Sequence, residues 1–186
     1  GLTHPKRELT ALNISRNDVG DNSSLAMVQF LKSLTGLVSV DCRSGAVRNG
    51  GAMRFVRGVR LSRSLTSLKV GWNGFGDIEP CSSLADYLRR DICCLTDLDI
   101  SYNRIRMKAA LVLASALEHN RSLQLLNLDG NQLGYVASRR ILSVCSRNTI
   151  DLEQDSSESS ILLGDIHVSM HGCCDDSGQN LELFNP

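Results

Sequence analysis

The residues best able to bind metal gather near the C-terminus. They are His167, His171, Cys173 and Cys174, with Asp175 and Asp176 beside them. Imidazole, thiolate and carboxylate are the groups that hold zinc, and a structural site needs four of them. Cys173 and Cys174 are adjacent rather than separated by the gap of a chelating pair, and no second ligand pair occurs elsewhere, so no metal site is expected. Acid–base catalysis needs a positioned histidine or carboxylate next to a reacting group. The four histidines, His4, His119, His167 and His171, stand in no nucleophile elbow, phosphate-binding glycine loop or metalloprotease motif. The sequence therefore predicts no catalytic residues, no enzymatic activity and no cofactor. A third chemistry is phosphate contact. Arg54, Arg57 and Arg60 recur every three residues, which puts them on nearly one face of a helix. Such a stripe can meet phosphates. With only 4% aromatic residues in the chain there is little to stack on bases, and a solvated helix face competes with a nucleic-acid contact.

What must position these residues is a repeat. The run Leu9, Leu12, Ile14, Asn17, Val19 returns 28 residues later as Leu37, Val40, Cys42, Gly45, Val47, and again after 28 as Leu65, Leu68, Val70, Asn73, Phe75. A step of 30 gives Leu95, Leu98, Ile100, Asn103, Ile105, and a last step of 28 gives Leu123, Leu126, Leu128, Asn131, Leu133. The alternating apolar pair of each unit predicts a short strand with both side chains turned into the core. The Asn falls where the chain leaves the strand, and its amide can bond backbone groups left open by that turn. The second half of each unit reads as a helix: Leu25, Val28 and Leu31 share one face, as do Leu111, Ala114 and Leu117. One strand and one helix cannot bury their own faces. Stacking five units builds a single core and a parallel sheet. Gly45 replaces the Asn once, which predicts a looser turn at Arg43–Gly45. The two extra residues of the third unit are expected in the loop Gly76–Pro80, since Pro is tolerated at a helix entrance.

The L-x-x-L-x-L-x-x-N unit followed by a full helix resembles the ribonuclease-inhibitor type of leucine-rich repeat, over about residues 9–148. The resemblance implies an α/β solenoid, a horseshoe with a parallel concave sheet and convex helices. It also implies an intracellular protein with reduced thiols, cytoplasmic or cytoskeletal, that grips protein partners with its sheet face and rims. Residues 1–152 then form the repeat domain, with units starting near 9, 37, 65, 95 and 123. Residues 153–186 form an acidic tail that caps the solenoid or docks on a neighbour. Within that region the pair Ile150–Leu152 reads as a further edge strand, residues 153–160 as an acidic linker, and Ile161–Met170 as strand-like, with Ile166, Val168 and Met170 alternating. The short polar stretch before Leu9 suggests that more repeats precede it in a longer parent protein.

The repeat register also sorts the outward-facing strand residues into columns. One is Asn13, Asp41, Lys69, Asp99, Asn127; a second is Ala11, Ser39, Ser67, Asp97, Leu125; a third is Ser15, Arg43, Gly71, Ser101, Asp129. Strands lie ~4.8 Å apart, so Asp41, Lys69 and Asp99 are expected to form a ladder of alternating charge, and Asp97, Asp99 and Asp129 an acidic cluster. Trp72 and Tyr102 each precede the Asn and should be neighbours at the sheet edge. Exposed aromatics of this kind dominate binding hot spots, although two rings stacked to shield a core edge would have the same spacing. The partner-binding strip expected from these columns is Trp72, Tyr102, Asp97, Asp99, Asp129, Asp41 and Lys69, its acids favouring a basic partner.

Charge and cysteine content set the remaining bounds. All 20 Lys and Arg lie at or before Arg147, against 12 acids, so residues 1–148 carry +8 and residues 149–186 carry −8. No stretch approaches the ~20 apolar residues of a membrane span. Seven cysteines, two pairs of them adjacent, do not make a secreted disulfide framework, and Cys42, Cys93 and Cys145 are expected as buried free thiols. The function that follows is a protein-interaction or scaffold module within a larger assembly, for example an axoneme. A regulator activating a small GTPase and a ribonucleoprotein component using the Arg stripe are the alternatives.

Overall fold

The computed structural model describes residues 9–150 and 166–173. Six three-residue strands alternate with five helices: β1 (Ala11–Asn13), α1 (Ser24–Ser33), β2 (Ser39–Asp41), α2 (Asn49–Val59), β3 (Ser67–Lys69), α3 (Ile78–Leu88), β4 (Asp97–Asp99), α4 (Met107–Leu117), β5 (Leu125–Asn127), α5 (Gly134–Ile150) and β6 (His167–Ser169). The strands pair in sequence order, all parallel, in one sheet. The register equates Ala11, Ser39, Ser67, Asp97 and Leu125, so the columns read from the repeat are the columns of the sheet. Parallel strands need a crossover, and each helix supplies one, packing on its neighbour helix to close the core.

Burial follows the repeat. Val40, Leu68, Leu98 and Leu126, with Cys42, Val70, Ile100 and Leu128, are buried, as are Leu37, Leu65, Leu95 and Leu123. The first unit departs from this. Leu12 and Ile14 are only half-buried and Leu9 is exposed, because among the described residues no strand covers the outer side of β1. In α1 the inward residues are Met27 and Leu31, whereas Leu25 is 62% exposed at the start of the helix. In α4 the buried face is Ala110, Leu113, Ala114 and Leu117, with Leu111 at its margin.

The two extra residues of the third unit are divided. Phe75 to Cys81 is six residues where Val47 to Ala52 and Ile105 to Ala110 are five. Leu88 to Leu95 is seven where Val59 to Leu65 and Leu117 to Leu123 are six. One insertion therefore precedes α3 and one follows it, and Pro80 sits in the first turn of the helix rather than in a loop. Pro is tolerated there because a first-turn N–H has no partner within the helix.

The repeat Asn stitches each unit to the one before. Asn131 Oδ1 accepts from the backbone N–H of Asn103 and of Ile105, both at 3.0 Å. Its Nδ2 donates to Ile100 O at 3.1 Å and Leu128 O at 2.7 Å. Asn73 makes the same bonds to Gly45 N, Val47 N, Cys42 O and Val70 O. Gly45 therefore does not loosen its own turn, which Asn73 holds. The lost bonds belong to the first unit, where Val19 N–H turns back to Asn17 O at 2.9 Å.

β6 extends this scheme. The sheet register sets Val168 against Leu126, which places Met170 beside Leu128 and Cys173 at the position of the repeat Asn. Ile166, Met170 and Cys173 are buried, and Cys173 Sγ donates to Leu128 O at 3.3 Å, the bond that Asn131 makes to Ile100 O. Ile150 is the last residue of α5 rather than part of a strand. The buried residues Ala137, Ile141, Val144 and Cys145 show the same 3.6-residue periodicity running on through that helix. Leu152 and residues 153–160 lie outside the described residues. Among the described residues no helix is long and apolar enough to cross a membrane. Cys42, Cys81, Cys93, Cys145 and Cys173 are buried free thiols, and Cys94 is half-buried.

Candidate functional site

Each strand runs into a turn whose residue just before the Asn position has a left-handed backbone. These residues are Arg16, Ser44, Trp72, Tyr102, Gly130 and Gly172, with φ of 58°, 53°, 57°, 50°, 64° and 63°. Glycine takes this conformation without cost, while an L side chain pays roughly 1–2 kcal/mol. Two of the largest side chains in the chain therefore occupy the position that suits glycine best. They are not used to fill the core: Trp72 is 59% and Tyr102 42% exposed. Strain combined with exposure is the pattern of a binding element.

The two rings stack face to face, with centroids 4.2 Å apart and an interplanar angle of 11°. Gly130 lies on the other side of Tyr102, and any Cβ there would overlap the phenol ring. The glycine therefore lets Tyr102 lie flat on the backbone of the next turn, and Tyr102 in turn supports Trp72. Beside the stack is a cleft of about 540 Å³, lined by both rings together with Ala46, Arg48, Asp77 and Arg104. That volume is within the range of small-ligand or peptide-segment sites. Ala46 and Arg104 also have left-handed backbones, φ 54° and 60°. The cleft contains no paired carboxylates, no histidine and no thiol. It can offer stacking, apolar contact and guanidinium hydrogen bonds.

The acids of the expected strip are arranged differently from a ladder of open charges. Asp41 is nearly buried and accepts from Arg43 N–H at 3.1 Å and from the Arg43 guanidinium, with Nη2 at 2.7 Å. Burial pushes its carboxyl up, but the bonds to Arg43 and the charges of Arg43 and Lys69 outweigh this and hold it below the ordinary 3.8. Asp99 is buried and accepts from Ser101 N–H at 3.0 Å and Ser101 Oγ at 2.6 Å. Asp97 accepts from Ser67 Oγ at 2.9 Å and lies 3.8 Å from Lys69 Nζ. Asp129 accepts from Ser169 Oγ at 2.7 Å and His171 N–H at 2.6 Å, tying β6 to the preceding turn.

A structural regularity underlies this, and the charge pattern concealed it. Asn13, Asp41, Asp99 and Asn127 each accept the backbone N–H two residues on. Asn or Asp at the strand exit is thus an Asx turn repeated along the sheet, and only Lys69 lacks the group for it. Asx residues followed by a turn at the ends of four strands are the signal for this role.

The Arg stripe is on the outer side of α2, opposite the buried Ala52, Phe55, Val56 and Val59. Arg57 is exposed, Arg54 is half-buried and donates from Nη2 to Asp21 O at 3.3 Å, and Arg60 is the residue just after the helix. These three do not line the cleft. His167 and His171 are exposed on β6 and just after it, while Cys173 is buried in its backbone-bonding role. Among the described residues no group of three or more His, Cys, Asp or Glu could hold a metal ion. Cys174, Asp175 and Asp176 lie outside those residues.

The sequence matches a family model described as Leucine Rich repeat at residues 7–26, 61–78, 92–114 and 119–136. No curated protein matches the chain. Among solved structures 44 chains match. One of them, leiomodin-1 actin-binding site 2, is 18% identical with a TM-score of 0.62, over 78% of this chain and 83% of that one. At that identity the likeness concerns the fold. The five-fold repeat, its matches to the repeat family and the in-register parallel sheet together make this chain an α/β leucine-rich-repeat solenoid.

Proposed function

We propose that the chain is a non-enzymatic protein-interaction module, of the ribonuclease-inhibitor type, that holds a partner at the Trp72–Tyr102 stack. The observation that carries this reading is the pair of exposed, stacked rings held in left-handed turns beside a cleft. Aromatic side chains that are costly to place and unused by the core are what a binding surface would retain. The sheet residues Asp41, Lys69, Asp97, Asp99 and Asp129 extend the same surface. Their charges are committed within the fold, so they shape the surface while the rings supply the contact area. In this reading residues 1–152 are the repeat domain and residues 153–186 a following segment, of which β6 docks as one more strand on the repeat sheet. Free thiols support a reducing, intracellular setting. Leiomodin-1 is named for an actin-binding site, which makes a cytoskeletal partner the first to assay.

The test is affinity capture with the wild-type chain and with the double variant Trp72→Gly, Tyr102→Gly. Glycine already occupies this turn position at Gly130 and Gly172, so the variant keeps the backbone conformation. Capture is expected to weaken by well over tenfold, since each hot-spot truncation costs ~2 kcal/mol. Arg57→Glu on α2 is the control and should bind as wild type. Loss with Arg57→Glu and none with the double variant would favour the ribonucleoprotein reading instead.

A further inference from the structure

The charges left open at the cleft are positive on balance, two guanidiniums against one carboxylate. Arg48 and Arg104 both line it, both are exposed, and neither guanidinium meets a carboxylate among the described residues. Asp77 is the one acid in the lining. The acids of the sheet face are already occupied: Asp41 by Arg43, Asp97 by Ser67 and Lys69, Asp99 by Ser101, Asp129 by Ser169 and His171. A basic partner would have to displace those bonds, at the cost of leaving buried carboxylates such as Asp99 without donors. An acidic partner would meet two guanidiniums with open hydrogen-bonding edges. The excess of 20 basic over 12 acidic residues in the first 148 would steer its approach.

We infer that the cleft takes a short acidic peptide segment of a partner protein, with its carboxylates on Arg48 and Arg104 and an aromatic side chain laid on the exposed indole of Trp72. The geometry fits a linear segment better than a broad face, since a cleft of about 540 Å³ admits only a few residues. Offset stacking on Trp72 would give contact area at little conformational cost, and the planar guanidiniums would fix the direction of the chain. The inference rests on the reading of the stack as the partner site and reverses the charge that the acids of the sheet had suggested for the partner.

Trp72 is the single tryptophan of the chain, so selectively excited tryptophan emission reports the cleft. The full chain is titrated with two synthetic hexapeptides, Asp-Glu-Phe-Asp-Glu-Asp and Lys-Arg-Phe-Lys-Arg-Lys, at low salt and at high salt. The acidic peptide is expected to change Trp72 emission saturably below about 1 mM. Added salt should weaken it, and Arg48→Glu and Arg104→Glu should each weaken it roughly tenfold. The basic peptide should have no effect in that range. A basic peptide that saturates Trp72 in place of the acidic one would overturn the inferred charge while leaving the cleft as the partner site. Acidic-peptide binding indifferent to both arginine variants, or no response to it up to about 1 mM, would overturn the inference. The capture assay with Trp72→Gly and Tyr102→Gly then decides the broader reading independently.

Discussion

Replacing Asn131 with alanine is expected to lower the unfolding free energy by on the order of 4 kcal/mol or more. The side chain is fully buried and bonds five backbone groups in two repeats: the N–H of Asn103 and Ile105, and the carbonyls of Ile100, Leu128 and Asp129. Alanine leaves the N–H of Asn103 and Ile105 and the carbonyl of Ile100 without partners, while Leu128 O keeps Cys173 Sγ and Asp129 O keeps Tyr102 N–H, and each unsatisfied buried group costs ~1–3 kcal/mol. The solenoid makes the effect cooperative, because the bonds cross the boundary between neighbouring units. Asn17 provides the internal control. It is exposed and donates only within its own turn, to Ile14 O and Ser15 O, so Asn17→Ala should cost less than about 1 kcal/mol. Urea unfolding followed by circular dichroism measures both. Equal losses at the two positions would contradict the stitching role of the repeat Asn.

The second large effect is a loss of stability at alkaline pH. Burial pushes the thiols of Cys42 and Cys81 up to about 12 and that of Cys145 to about 11, from 9.0, with the nearby charges of Asp41 and Asp77 adding to the first two. Below pH 9 all three are protonated in the folded and the unfolded chain, and their contribution is fully present. Above 9 the unfolded chain releases protons that the folded chain retains, so stability falls as pH rises, until the folded values near 11 and 12 are passed. One pH unit costs about 1.4 kcal/mol per thiol, so the three together should remove about 4 kcal/mol at pH 10. Unfolding at pH 7.5 and pH 10 under reducing conditions measures this loss. The triple variant Cys42→Val, Cys81→Ala, Cys145→Ala should lose much less between the two values. The same alkaline loss in the variant would place its origin elsewhere.

The residues that make the fold legible are those whose spacing the fold itself enforces. The strand pairs and the Asn recur at 28 or 30 residues because each must meet its copy in the next unit, so the columns could be read directly. The sixth strand was visible as an alternation at Ile166, Val168 and Met170, but not as a repeat. It lies 42 residues beyond β5, as Leu125 pairs with His167, and carries Cys173 where four of the other five units carry Asn. A thiol that donates one backbone bond does in part what an amide does in full, and its type alone suggested metal chemistry instead.

The candidate site was legible by address and not by geometry. Trp72 and Tyr102 were placed as neighbours by register alone. That they occupy left-handed turns, and that Gly130 makes room for the second ring, depends on backbone angles that no spacing encodes. The acids show the opposite failure. Their columns were correct, yet Asp41 and Asp99 serve the turns that follow them, because a carboxylate at a strand exit finds a backbone N–H two residues away before it finds a partner. Sequence reports which charges share a face, but not which are already satisfied.

With the stack as the partner site, Trp72 lies under the bound partner. Its indole N–H gives a single resonance, since the chain has one tryptophan. The most direct measurement follows that resonance, together with acrylamide quenching of Trp72 fluorescence, as the partner recovered by capture is added to the intact chain. The resonance is expected to shift or broaden in step with complex formation, and quenching to fall as the exposed ring is covered. A complex that forms with the resonance unmoved and Trp72 as open to acrylamide as before would contradict that placement.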